Sequence, residues 1–293
     1  MKRRTFMKTL SSAIALGTMG SWAKGGTKPQ ILFGACRPLT EAQAMKDAGY
    51  DYVEWSAGLD FQPSISDEAF KAELEKLRKL PLPIRCCNGF LPGKYHLTGT
   101  QTNHEEALDY AEIICRRADL LGTPFIGFGS SDARNAPEGY PIEKAKEQLV
   151  RFCQKLGDRI SDCKVKVILE PLRKEEANYL REVSEGSDIV DMINRPNIQL
   201  LADMYHMRCE NETAASILKA GKRIKHCHIA EKKGRKAPGT SGESFVDYFK
   251  ALRQIGFSGG ISCECGWPRK KGETMPQMYV RVLAELKKQL AQA

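Results

Sequence analysis

From residue 30 onward the chain alternates short apolar runs with longer amphipathic stretches. Short apolar runs rich in β-branched residues read as buried strands. Stretches with apolar residues three and four apart read as helices. The strand-like runs are 31–36, 50–56, one ending near Cys87 and Asn88, 124–129, and four ending at Glu170, Asp203, His228 and Glu264. Helical spacing predicts helices over 40–49 (with Thr40 as cap), 67–80, 105–121, 142–156, within 178–193, and over 212–220, 244–255 and 275–290. The segment between His228 and Gly242 is rich in Gly, Lys and Arg and is expected to stay mobile until something binds.

Eight strand–helix units with no break in composition predict an α/β fold: one (β/α)8 TIM barrel over residues 31–291. An open doubly wound sheet is the alternative. The lack of a GxGxxG after the first strand weakens it.

The formal charge of +9 would ordinarily raise nucleic acid as a partner, but Lys2, Arg3, Arg4 and Lys8 supply four of those charges from the first 23 residues. That segment has a basic start, an apolar middle from Leu10 to Met19, and a small-x-small site at Ser21-Trp22-Ala23. This is the pattern of a cleaved export signal, and Arg3-Arg4-Thr5-Phe6-Met7-Lys8 resembles the twin-arginine type. The apolar stretch is too short to anchor in a bilayer. A periplasmic protein without a membrane anchor is therefore expected, and nucleic acid is not. All ten cysteines follow the signal with no CxxC pair. They read mostly as buried thiols, with Cys263 and Cys265 facing outward if Glu264 faces in.

The chemistry concentrates where the last four strands end. Strand ends of a closed parallel barrel open on one face, so residues distant in sequence can converge there. Glu170, Asp203, His228 and Glu264 offer three carboxylates and one imidazole. Such a mostly oxygen donor set suits one divalent cation of the Mn, Mg or Co kind better than a structural Zn.

The segments LEPLRKEEANYL, LLADMYHM, KHCHIAE and SCEC, with Glu-Pro-Leu and Asp-x-x-His 33 residues apart, resemble the xylose isomerase-like TIM barrel family of sugar isomerases and epimerases. The resemblance implies that Glu170, Asp203, His228 and Glu264 hold the cation, Mn foremost. Glu170 and Glu264 would double as acid and base, with a small sugar as substrate. It also implies substrate contacts from His206, Glu176 and Arg235, although one extra residue in that last loop leaves Lys233 and Lys236 open.

Residue by residue, Glu54 reads either as a group orienting substrate or ligand, or as a rim ion pair. His226 reads as packing or as support for a ligand in preference to a ligand itself. Trp55, Phe90 and Trp267 read as sugar-stacking rings or rim packing, with Trp267 the preferred substrate contact. His96 and His104 read as surface residues. The implied reaction is isomerisation or epimerisation through an enediolate. The alternatives are a hydratase or lyase acting on a 3-keto sugar, and a sugar-binding barrel without turnover. A homo-oligomer stays open.

Overall fold

A computed structural model describes residues 30–293. The predicted export segment lies outside the described residues. Eight parallel strands close into a barrel in sequence order. They are β1 (Leu32–Cys36), β2 (Tyr52–Ser56), β3 (Ile84–Asn88), β4 (Phe125–Phe128), β5 (Lys166–Leu169), β6 (Ile198–Asp203), β7 (Ile224–Ile229) and β8 (Gly260–Cys263). β1 closes the ring by pairing with both β2 and β8. The predicted barrel is the observed one. Among the described residues no helix is long and apolar enough to cross a membrane.

Two packed shells follow from the pleat, which sends alternate side chains to opposite faces. The large outer core lies between strands and helices and includes Val53, Ile126, Val167, Leu200, Cys227, Ile261 and Cys263. Cys263 thus faces outward, as expected, with Cys265 packed against the same core. All ten cysteines are free thiols. A small inner layer of Cys86, Ile168 and Leu201 fills the barrel itself, with Phe125 beside it. The Tyr52 ring also lies inside. A Cβ on Gly34 would stand 2.2 Å from that ring, and one on Gly260 2.5 Å from its hydroxyl, so β1 and β8 need glycine there.

Several local expectations are corrected. Thr40 caps no helix. The chain leaves Pro38 through a single turn, Leu39–Glu41, and the helix proper is Ala42–Ala48 with no side-chain cap. The helix expected within 178–193 is Val183–Ile193. The preceding residues are drawn toward the loop after β4: Asn178 Nδ2 donates to Ala136 O at 2.7 Å and Tyr179 Oη to Arg134 O at 2.6 Å. Leu180 completes the detour in the left-handed region, at φ 52°. His104 opens the helix His104–Leu121 half-buried, its Nε2 2.7 Å from Leu97 O and its ring 5.6 Å from Phe152. His96 is exposed, as expected.

The loop after β7 is not a loose strap. Glu231 is fully buried, and its carboxylate accepts backbone N–H groups from Gly239, Thr240, Ser241 and Gly242. A buried anion satisfied by four donors folds the loop around itself.

Candidate active site

The ends of β5 to β8 bring four ligand-type side chains together. One donor atom from each of Glu170, Asp203, His228 and Glu264 lies within 4.8 Å of the others. Asp203 and His228 are cross-strand partners at the ends of β6 and β7, which fixes them side by side. Glu170 and Glu264 each follow the last residue of their strand. Asp203 and His228 are buried, Glu170 nearly so, and Glu264 is half-exposed at the mouth.

Each group spends part of its bonding capacity on the protein and turns the rest inward. Asp203 Oδ1 accepts from Tyr205 N at 2.7 Å and so caps the short helix Met204–Cys209. Its Oδ2 is left facing His206 Nε2 at 3.4 Å and Arg235 Nη2 at 3.5 Å. Glu264 Oε1 accepts from Asn88 Nδ2 at 2.9 Å, while Oε2 takes the Arg235 guanidinium. His228 Nδ1 lies 2.9 Å from Glu170 Oε1 and 3.4 Å from Glu264 Oε2. Glu170 has room because residue 129 is glycine. A Cβ there would come within 2.7 Å of its Oε2.

The charge balance is strained by burial. Desolvation, then the neighbouring Glu170, pushes the Asp203 carboxyl up to about 7. Burial likewise raises Glu170. Burial also acts to raise Glu264, but His228 and Arg235 outweigh it and hold its carboxyl down at about 2. Burial would lower His228, yet Glu54, Glu264 and Glu170 hold it well above the usual imidazole range. Crowded carboxylates of this kind favour a cation in their midst, and the donor set fits a hard divalent ion.

His206 is of a different character. Its Nδ1 accepts from Arg173 N at 3.2 Å, which places the proton of the neutral ring on Nε2. Among the described residues that buried Nε2 has no hydrogen-bond partner, since Asp203 Oδ2 at 3.4 Å lies out of line with it. Burial and then Arg235 push its pKa down to about 3, so the ring is neutral at ordinary pH. It is a hydrogen-bond donor held ready beside the carboxylates.

A cleft of about 370 Å³ opens above the cluster, lined in part by Asn88, Ser131, Asp132, Glu176, His206 and Arg235. A larger concavity of about 840 Å³, lined in part by Arg208, Thr213 and Tyr248, shares no lining residue with this cleft and, among the described residues, holds no such cluster. Glu176 faces the cleft while pairing with Arg173 Nε at 2.7 Å. Of the three basic candidates in the loop after β7, Arg235 is the one that reaches the carboxylates. Its backbone is left-handed at φ 49° and its guanidinium lies 4.7 Å over the Tyr205 ring.

Two expected substrate contacts lie elsewhere. Trp267 packs edge-on to Tyr279 at 5.1 Å with the Arg37 guanidinium 5.8 Å above it, and does not line the cleft. Glu54 is neither a rim ion pair nor at the cleft. It is sealed inside the barrel beneath His228, bonded to His228 Nε2 at 2.9 Å and His226 Nε2 at 2.9 Å. The pleat gives the reason: Glu54 is the third residue of β2, below the strand's end, and points inward. His226 supports Glu54 and stays below the donor cluster. Phe90 is core packing against Phe128 at 5.4 Å, and Trp55 does not line the cleft. Asn88 and Glu231 carried no advance signal, because their partners lie far along the chain or in the backbone.

Residues 42–289 match the family described as Xylose isomerase-like TIM barrel. The chain belongs to that family. It is 31% identical over 261 residues to an L-ribulose 3-epimerase from Methylomonas sp. (strain DH-1), covering 85% of this chain and 82% of the relative. It is 26% identical over 240 residues to the hydroxypyruvate isomerase of Escherichia coli (strain K12), covering 80% and 90%. Among solved structures, D-allulose 3-epimerase from Methylomonas sp. in complex with D-allulose aligns with a TM-score of 0.71 at 25% identity, covering 89% of this chain and 98% of that one. D-Psicose 3-epimerase with D-tagatose from Clostridium cellulolyticum H10 aligns with a TM-score of 0.75 over 88% and 98%; at 18% identity this likeness speaks for the fold alone.

Proposed function

We propose that this protein is a divalent-cation-dependent sugar epimerase or isomerase that moves a proton on the carbon beside the carbonyl of a ketose. The observation that carries the reading is the four-residue donor cluster with a neutral, unpartnered His206 Nε2–H beside it, in a chain similar to a 3-epimerase along most of its length. Glu170, Asp203, His228 and Glu264 would hold the cation, Mn in preference to Mg or Co and these before Zn. When bound, the cation supplies electrophilic stabilisation of the negative charge that gathers on substrate oxygen.

The chain supplies the proton traffic. Glu170 and Glu264 reach the cleft from different strands, so one carboxylate takes the proton and the other returns it. His206 donates Nε2–H to the developing oxyanion without itself ionising, since its neutral form persists at working pH. Glu176, steadied by Arg173, offers an acceptor to sugar hydroxyls. Leu91 and Leu172 line the cleft and help to keep water from the reacting carbon. The cleft sets Asp132, Glu170, Glu176 and Glu264 against the single guanidinium of Arg235. A bound divalent cation only offsets that excess and leaves no surplus positive charge for a phosphate, so the balance favours an unphosphorylated sugar.

The export pattern of residues 1–23 supports a periplasmic site of action, which cell fractionation tests. For the reaction, manganese-loaded protein is incubated in deuterated water with keto-sugars and 3-keto-glycosides. The expected result is one deuterium incorporated into an epimer or isomer of otherwise unchanged mass. Gain or loss of water, aglycone release, or no turnover across the panel would overturn the reading.

A further inference from the structure

A second polar cluster lies beneath the candidate metal centre, closed off from solvent. Glu54, His226 and Ser262 are all fully buried there, and Tyr52 nearly so. Glu54 Oε1 meets His228 Nε2 at 2.9 Å. Glu54 Oε2 meets Ser262 Oγ at 2.6 Å and His226 Nε2 at 2.9 Å. Ser262 Oγ in turn meets the Tyr52 hydroxyl at 2.9 Å.

An ionised carboxylate only accepts hydrogen bonds, so the nitrogens that face Glu54 must be the ones that carry protons. Ser262 uses its hydroxyl proton on Glu54 and can then accept from Tyr52. Glu54, Cys86 and His226 stand close enough to hold an ion of their own. The bonds from His226, Ser262 and His228 already satisfy the carboxylate, so Glu54 needs no second ion.

The bond to Glu54 matters for His228. An imidazole that binds a cation has given up its second proton and keeps one N–H. If Glu54 claims it at Nε2, Nδ1 keeps a lone pair, and Nδ1 is the atom that faces Glu170 and Glu264. We propose that Glu54, clamped from below by Ser262, His226 and Tyr52, is the positioning residue that sets the tautomer and tilt of His228 so that Nδ1 serves the divalent cation. The inference rests on the metal reading given above and adds a residue to it. Glu54 touches neither substrate nor cation. It acts through His228.

Glu54→Gln keeps the shape but cannot accept at both oxygens. One of the two facing imidazoles must then turn an acceptor nitrogen toward the amide. If His228 does so, its proton moves to Nδ1 and blocks the cation. Ser262→Ala removes one clamp from Glu54 and leaves the carboxylate charge.

Manganese affinity is read by electron paramagnetic resonance of the free ion. The His228 tautomer is read from imidazole 15N shifts of the magnesium-loaded protein. The melting temperature is measured without cation. Glu54→Gln is expected to weaken manganese binding about 10- to 100-fold and to move the His228 nitrogen shifts. Ser262→Ala is expected to weaken binding about fivefold, the worth of one ordinary hydrogen bond. A purely structural Glu54 would instead lower the melting temperature and leave manganese affinity unchanged, and that result overturns the inference. Should Glu54→Gln not fold, Ser262→Ala decides by the same criterion. Failure of the wild-type protein to bind manganese would overturn the metal reading itself.

Discussion

Substituting Glu231 tests whether the loop that delivers Arg235 is pre-formed. Its Oε1 accepts from Gly239 N at 2.9 Å, Thr240 N at 3.0 Å and Gly242 N at 3.1 Å, and its Oε2 accepts from Ser241 N. The same loop is stitched to the end of β8, where Gly266 N donates to Arg235 O at 2.7 Å and Ala237 N to Gly266 O at 2.9 Å. Glu231→Gln preserves volume. Its amide oxygen can replace Oε1, but its NH2 group then confronts the Ser241 N–H. One charge-assisted bond is lost, at about 1.5–3 kcal/mol, and the other three weaken with the charge gone. A local cost of about 3 kcal/mol corresponds to roughly 10²-fold faster opening. Hydrogen exchange at amides 239–242 is the assay. Those amides should exchange roughly 10²-fold faster while the barrel strands keep their protection, and kcat/KM should fall as Arg235 loses its fixed place. Unchanged protection at 239–242 would refute the reasoning.

Other consequences can be checked separately. Burial pushes the Asp60 carboxyl up to about 7, partly offset by the Cys87 thiol. The folded state therefore holds a proton there that the unfolded state has released above about pH 4. The resulting penalty is absent at acid pH, grows as pH rises toward 7, and reaches about 4 kcal/mol, order of magnitude, above it. Asp60→Asn should accordingly raise stability in denaturant unfolding at pH 8 and leave it unchanged at pH 4; equal effects at both would contradict this. Because Asp203 is pushed up to about 7 by burial and then Glu170, and His228 is held above the usual imidazole range, protons should compete with the cation, so manganese affinity should fall at least about tenfold per unit as pH drops below about 7. A pH-independent affinity would count against Asp203 as a ligand. Glu170→Gln and Glu264→Gln should each lower kcat by about 10²–10⁴-fold, and either variant keeping full activity would remove its residue from the proton transfer.

The barrel and the donor cluster were legible in sequence for one reason: each ligand-type residue ends an apolar run, and strand ends of a parallel barrel share a face. Height within the barrel was not legible. Glu54 read as a mouth residue because a single strand does not reveal how its residues stack against neighbouring strands, and the register that places it under His228 is set by tertiary pairing. Trp267 follows β8, but its ring turns outward to Tyr279 on the last helix, a contact no local pattern announces. The helix within 178–193 was legible, as Val183–Ile193. Its starting point was not, because Asn178 and Tyr179 bond to the loop after β4, some 40 residues earlier. The glycine- and lysine-rich loop read as loose because its organiser, Glu231, acts through backbone amides and leaves no side-chain pattern.

The central claim is a single divalent cation held at the mouth of the barrel by its second half. Crystals soaked in manganese and measured across the manganese absorption edge test it directly. The account predicts one anomalous peak within bonding reach of Glu170, Asp203, His228 Nδ1 and Glu264. A map with no peak there, or with its strongest peak elsewhere, would contradict it.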